Sequence, residues 1–261
     1  VQTTSIVKDS LYQIPLDVSG LIERYKHAAP KHGFSLEIFG HQGAYPLIGL
    51  RKRSTGVKPR IYLSSGIHGD EPASALTLLY LLERGFFDSK AGWFLCPVLN
   101  PEGLKLGTRE SPNKADLNRA YKIPSEPETK AHVNWLKRQP NFNLSICLHE
   151  DWEAKGFYLY EYNPYKRPSL ATPILDAVKV HSPIDLSPLI DDAEAKGGII
   201  RPDPNPEIRE LWAESIYLLT KHHVELHYTL ETASGLALEL RIATMEAAIR
   251  ASIAAFKSVH V

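Results

Sequence analysis

Four short apolar runs recur along the chain, and each ends beside a residue able to do chemistry. They are Ile61-Tyr62-Leu63, Trp93 to Leu99, Leu144 to Leu148 and Val224 to Leu230, each bounded by polar residues or turn formers. Runs of this length and alternation predict strands. His68 follows the first, Asn100 the second, His149 the third and Glu231 the fourth. Between the runs lie helical patterns. Pro72 to Arg84 opens with a proline suited to a first turn, and Pro127 to Arg138 is preceded by Ser125 with Glu128 three residues on, which predicts a capping box. Leu238, Ile242, Met245, Ile249, Ile253 and Phe256 recur at spacings of three and four and predict a last helix with one apolar stripe. Strands alternating with helices imply an α/β three-layer sandwich with a mixed, largely parallel sheet flanked by helices. In such sheets ligands bind beyond the carboxyl ends of the strands, where these four residues fall.

No internal repeat and no Ser/Gly linker divides the 261 residues, so a single domain over residues 1–261 is expected. Thirty Lys+Arg balance thirty Asp+Glu, which excludes a global field that would recruit nucleic acid or an anionic membrane. No window approaches the roughly 18 apolar residues of a membrane span. The first thirty residues show no basic start followed by a long apolar stretch, and a cytoplasmic location is the expectation. Cys96 and Cys147 lie inside apolar runs and read as small buried hydrophobes rather than a disulfide. His181 to Pro206 carries five prolines and Gly197-Gly198, and reads as mostly loop: an ordered surface excursion, or a rim over the site.

His68 and Glu71 stand three apart at a strand-to-helix junction and can turn toward one point, a geometry that suits a metal. A catalytic zinc takes three protein ligands and keeps an open position for water, and His/Glu/His is a known set. The third ligand must come from afar, and His149 at a strand exit is the best candidate. Asn100-Pro101-Glu102-Gly103, Arg109, Asp116-Leu117-Asn118-Arg119 and Leu230-Glu231-Thr232 follow in an order that resembles the zinc carboxypeptidase family, which includes pancreatic carboxypeptidases and bacterial murein peptide amidases. The resemblance runs from about Pro59 to Glu231. It implies one Zn2+ per chain held by His68, Glu71 and His149, with Asp116 bonded to the free ring nitrogen of His68. It further implies Glu231 as the catalytic acid and base, Arg109 facing the developing oxyanion, and Asn118 with Arg119 gripping a substrate carboxylate. The implied substrate is a small peptide or acyl amino acid with a free carboxylate.

The chain departs from that family in places. Digestive members use a mobile tyrosine, and Tyr158, Tyr160, Tyr162, Tyr165 and Tyr217 offer no motif to choose among them. The related succinylglutamate desuccinylases and aspartoacylases continue into an extra β domain, whereas about thirty residues follow Glu231 here, which favours a compact amidase or carboxypeptidase over a deacylase. Glu150 and Asp151 directly follow His149 and read as supporting or surface groups, with an amine on the substrate as the alternative partner. His223 and His227 are four apart without the neighbouring Glu of a helical zinc site, and with Glu225 they read as one polar face of a strand.

Overall fold

The chain alternates between elements that face two separate cores. In this computed structural model, which describes residues 16–54, 56 and 58–260, the strands in chain order are β1 (Ser35–Gln42), β2 (Tyr45–Lys52), β3 (Arg60–Ser64), β4 (Gly92–Cys96), β5 (Leu144–Asp151), β6 (Tyr158–Tyr162), β7 (Leu189–Ile190), β8 (Ala193–Lys196), β9 (Ile199–Ile200) and β10 (Leu226–Ala233). The helices are α1 (Val18–Lys31), α2 (Pro72–Glu83), α3 (Pro101–Leu106), α4 (Pro127–Leu136), α5 (Ala171–Val178), α6 (Glu214–Lys221) and α7 (Leu238–His260). They form one mixed sheet in the order β1-β2-β4-β3-β5-β10-β6-β9-β8-β7. The α/β sandwich expected from the alternation of elements is the fold observed. Its parallel pairs are those of the centre, β4-β3-β5-β10, and β6-β9, and the pairs β1-β2, β2-β4, β10-β6, β9-β8 and β8-β7 are antiparallel.

Period-two alternation divides the core. Ile61 and Leu63, Leu144, Ile146 and Leu148, and Leu226, Tyr228 and Leu230 face one side, where they pack with apolar residues of α1, α2, α5 and α7. Tyr62 and Cys147 face the other side and pack with Val133, Trp135 and Leu136 of α4 and Tyr217 and Leu218 of α6. Met245, Ile249, Ile253 and Phe256 of the expected stripe on α7 are buried in the first core. Both cysteines are buried and free. Among the described residues no helix is long and apolar enough to cross a membrane.

Several local expectations are corrected. The run from Trp93 stops being strand at Cys96, because Pro97 has no N–H to give to the ladder. The capping box at α4 does not form: Glu126 occupies the N-cap position without a side-chain cap, and Ser125 bonds to its carboxylate instead. His223 has a positive φ of 47°, so the strand begins only at Leu226 and the face of His223, Glu225 and His227 does not exist. The stretch from His181 to Pro206 holds β7, β8 and β9, a small sheet extension rather than loop throughout.

Buried polar groups tie the second core together. The His132 ring lies 2.9 Å from the Tyr62 hydroxyl and 2.7 Å from the Tyr121 hydroxyl, and Tyr62 donates onward to Glu214 at 2.6 Å. Burial brings the His132 imidazole down to about 3, so it is neutral in the fold at any ordinary pH. In the unfolded chain it takes a proton below about 6.5. Between those two values the unfolded state alone is protonated, so the contribution of His132 to stability is lost as pH falls, by about 1.4 kcal/mol per pH unit. Buried carboxyls raised by burial, such as Glu214, act with the opposite sign, so the test is a difference. The destabilisation caused by His132→Gln in urea unfolding is expected to be smaller at pH 5 than at pH 7.5 by about 2 kcal/mol. An equal cost at the two pH values is the contrary result.

Candidate active site

The pairing of β5 with β10 is parallel and sets Glu231 directly beside His149. The antiparallel partner β6 sets Tyr158 on the other flank of Glu231. Because side chains alternate, His149 and Glu231 leave the same face of the sheet, and Tyr158, Tyr160 and Tyr162 leave it with them. His68 and Glu71 arrive from the segment that joins β3 to α2. That segment lies against the Asn100-Pro101-Glu102-Gly103 turn so closely that a Cβ on Gly69 would stand 1.9 Å from the Gly103 carbonyl carbon, and the Gly69 N–H donates to Thr108 O at 2.9 Å. Gly69 is therefore explained by backbone contact, and Gly103 by the Asn100 side chain, which a Cβ there would meet at 2.3 Å. Asn100 acts here as the N-cap of α3, accepting from the Gly103 N–H, and shapes the wall without entering the site.

Glu71 Oε1 lies 2.6 Å from His68 Nδ1 and its Oε2 lies 2.9 Å from His149 Nδ1. One ligand atom from each of His68, Glu71 and His149 lies within 4.8 Å of the others, and all three residues are buried. Burial opposes ionisation of Glu71, but the two imidazoles outweigh it and hold the carboxyl at about 2. Burial likewise opposes a charge on His68, and Glu71 and Asp116 outweigh that, taking it up to about 9. The negative field that draws protons to these imidazoles also draws a dication, and two nitrogens and a carboxylate are suitable donors for one.

Asp116 Oδ1 lies 3.2 Å from His68 Nε2, the ring nitrogen turned away from Glu71, and accepts the Asn118 N–H at 2.9 Å. Arg109 donates to Asp116 Oδ2 through Nε at 3.2 Å and Nη2 at 3.0 Å, and its Nη1 stands 3.3 Å from His68 Nδ1. Asn118 Oδ1 accepts the Glu214 N–H at 2.9 Å, which leaves its amide donors for the cavity. Arg119 is exposed and has no carboxylate partner among the described residues. Glu231 is 9% exposed and has no hydrogen-bond or ion-pair partner among them. Burial raises its pKa well above the usual carboxyl value, Glu71, Asp151 and Asp191 add to the rise, and His149 opposes it. Such a group holds a proton more tightly than a solvated carboxyl does.

A cavity of about 420 Å³ brings together His68, Glu71, Arg109, Asn118, Arg119, His149 and Glu231, with Asp116 behind His68. Tyr158, Tyr160 and Tyr162 line it and Tyr165 and Tyr217 do not, a choice made by the alternation of β6. Glu150 and Asp151 are separated by the same alternation. Asp151 faces the cavity and accepts from the Tyr158 hydroxyl at 3.0 Å. Glu150 points to the opposite side of the sheet, accepts the Ala73 N–H at 2.6 Å and pairs with Arg241 of α7 at 2.5 Å. Asp191, Arg209, Ser215 and Thr229 also line the cavity and were not singled out from the sequence. The aromatic alternation of Tyr158 to Tyr162 is a signal that finds the tyrosines, whereas nothing local marks Asp191 or Arg209.

Strand ends that gather two imidazoles and three carboxylates on an α/β sandwich define the class, a carboxypeptidase-like fold carrying a group of metal-ligand residues. Residues 57–179 match the profile of the succinylglutamate desuccinylase/aspartoacylase catalytic domain, which bears out the relationship read from the motifs and points to a hydrolase. No curated protein sequence matches the chain significantly. Among solved structures, a candidate metallopeptidase from Shewanella amazonensis is 20% identical with a TM-score of 0.79, over 91% of this chain and 92% of that one. A metallo-carboxypeptidase from Burkholderia cenocepacia is 18% identical with a TM-score of 0.66, over 92% of this chain and 70% of that one. One from Pseudomonas aeruginosa, in complex with (2-guanidinoethylmercapto)succinic acid, is 17% identical with a TM-score of 0.65, over 90% and 68%. At these identities the likeness is one of fold.

The Glu150–Arg241 pair carries a consequence for stability. Both side chains are buried, and burial takes Glu150 up to about 7 even beside Arg241, so on loss of Arg241 the carboxyl takes a proton and the cost is that of a lost hydrogen bond to a charged group, about 1.5–3 kcal/mol. Arg241→Ala is expected to lower the unfolding free energy by that amount, and a loss below about 1 kcal/mol in denaturant titration is the contrary result.

Proposed function

We propose that the chain is a zinc-dependent hydrolase that cleaves an amide bond next to a free carboxylate, of the carboxypeptidase or murein-peptide-amidase type. The observation that carries this reading is the unpartnered, buried Glu231 beside His149, in one cavity with His68, Glu71 and the Asn118–Arg119 pair. His68, Glu71 and His149 would hold the zinc, whose bound state supplies a Lewis acid that polarises a carbonyl and acidifies water. The donor set fits, because two nitrogens and one oxygen leave a tetrahedral ion one open position.

The remaining roles belong to the chain itself. Glu231 takes a proton from the attacking water at its carboxylate and returns it to the leaving nitrogen, a task suited to a carboxyl whose proton affinity burial has raised. Arg109, held by Asp116, offers fixed donors to the oxygen on which charge develops. Asn118 and Arg119 receive the substrate carboxylate, the first through its amide donors and the second through its guanidinium fork. Asp116 orients the His68 ring from behind. The ligand of the Pseudomonas aeruginosa carboxypeptidase is a succinic acid derivative, which supports a carboxylate-bearing substrate. The match to the succinylglutamate desuccinylase/aspartoacylase domain favours a second reading, a deacylase acting on N-acyl amino acids.

Metal content and hydrolysis test the proposal together. Wild type and Glu231→Gln are both expected to bind one zinc per chain, with hydrolysis of carboxylate-bearing amides lower in the variant by about 10²–10⁴-fold. Asp116→Asn is expected to weaken metal affinity by about 10–100-fold in competition with a chelator. A wild-type protein that takes up no zinc when it is supplied contradicts the reading.

A further inference from the structure

The walls of the cavity differ in charge, and the difference is uncompensated. Residues 117–121 run beside residues 209–214, joined by the Tyr121 N–H to Trp212 O bond at 3.1 Å and by the bridge between Ala120 and Trp212. This wall carries Arg119 and Arg209, and neither has a carboxylate partner among the described residues. Among the described residues the Arg209 guanidinium donates only to the Asp203 carbonyl, and its Nε is buried without a hydrogen bond.

The other wall is made by the end of β5, by β6 and by the hairpin of β7 and β8. The hairpin turns through Asp191 and Asp192, with φ of 48° and 56°, the positive values at both positions that a type I′ turn requires. That turn brings the Asp191 carboxylate onto the Tyr160 hydroxyl, as Asp151 accepts from Tyr158. No Lys or Arg pairs with Asp151, Asp191 or Glu231 among the described residues. The tyrosines of β6 register the change of sign. Burial raises all three phenols; Glu231 and Asp191 add to the rise at Tyr158 and Tyr160, whereas Arg209 and Arg119 oppose it at Tyr162. Tyr158 and Tyr162 are four residues apart on a strand, about 13 Å.

We propose that Asp191 and Asp151 receive an ammonium group on the acyl side of the scissile amide, while Arg119 and Arg209 hold the carboxylate on the other side. The acids gather at the Glu231 end of the cavity and the arginines at the far end, which assigns the ammonium to the acyl portion. The tyrosines that feel the opposite charges, Tyr158 and Tyr162, stand about 13 Å apart along β6, too far for an α-ammonium and a carboxylate of the same residue. The substrates that fit are short peptides with a free amine, and a succinyl group, with its own carboxylate, meets like charge at Asp151, Asp191 and Glu231. This inference rests on the hydrolase reading and decides between its two forms, in favour of a peptidase over a deacylase of anionic acyl groups.

The test uses pairs of substrates that differ only in the amine. Alanyl-phenylalanine against propionyl-phenylalanine reads an α-amine, and N-acetyl-lysyl-phenylalanine against N-acetyl-norleucyl-phenylalanine reads a side-chain amine. In at least one pair the charged member is expected to have a kcat/KM about tenfold or more higher, falling with added salt. Asp191→Asn, which keeps an acceptor for Tyr160, and Asp151→Asn are each expected to bring that ratio toward unity. Equal or better cleavage of the uncharged member in both pairs overturns the inference, as does a ratio that survives both substitutions. Calorimetric binding of the same pairs to Glu231→Gln protein keeps the two readings apart. If nothing is cleaved, the hydrolase reading fails alone, and a preference for the uncharged ligands in binding overturns the ammonium assignment.

Discussion

The parallel pairing of β5 with β10 is the contact on which the site depends. It sets His149 next to Glu231 at the carboxyl ends of two central strands, and the pleat then decides which neighbours share their face. A slip of β5 by one residue would turn His149 to the opposite face, away from Glu231, and bring Glu150 toward the cavity. The alternating Leu144, Ile146 and Leu148 against the first core guard the register, because a slip would also expose them. Packing of ordinary leucines and isoleucines thus holds the chemistry in place.

The same pleat gives Glu150 and Asp151 unrelated tasks. Glu150 caps the first turn of α2 and pairs with Arg241, joining the strand end to α2 and α7 beneath the site. Asp151 steadies Tyr158 in the cavity wall. Behind the metal-ligand group a second chain of contacts runs from His68 through Asp116 to Arg109, so two side chains are oriented by one carboxylate.

Much of this arrangement was legible in the chain. Central strands read as apolar runs because they are buried on both faces, and the stripe of α7 survives as Met245, Ile249, Ile253 and Phe256. The His68 and Glu71 pair stood out because a strand-to-helix junction brings residues three apart together. Other elements were missed for physical reasons. The edge strands β7 to β9 are two to four residues long and half-exposed, so they carry no periodicity, and the capping box at α4 failed because Glu126 displaced Ser125 from the N-cap.

By itself the sequence determined the α/β class, the central strands and the residues that meet around Glu71, since all of these follow from local pattern and from motifs at strand exits. Only the tertiary structure decided which tyrosines enter the cavity, that Glu150 serves the core and Asp151 the site, and that Asp191 reaches the cavity from the excursion and Arg209 from just beyond it. Those decisions depend on long-range register and on one tight turn. Neither leaves a local trace, because the contacts that set them are made between segments tens of residues apart in the chain.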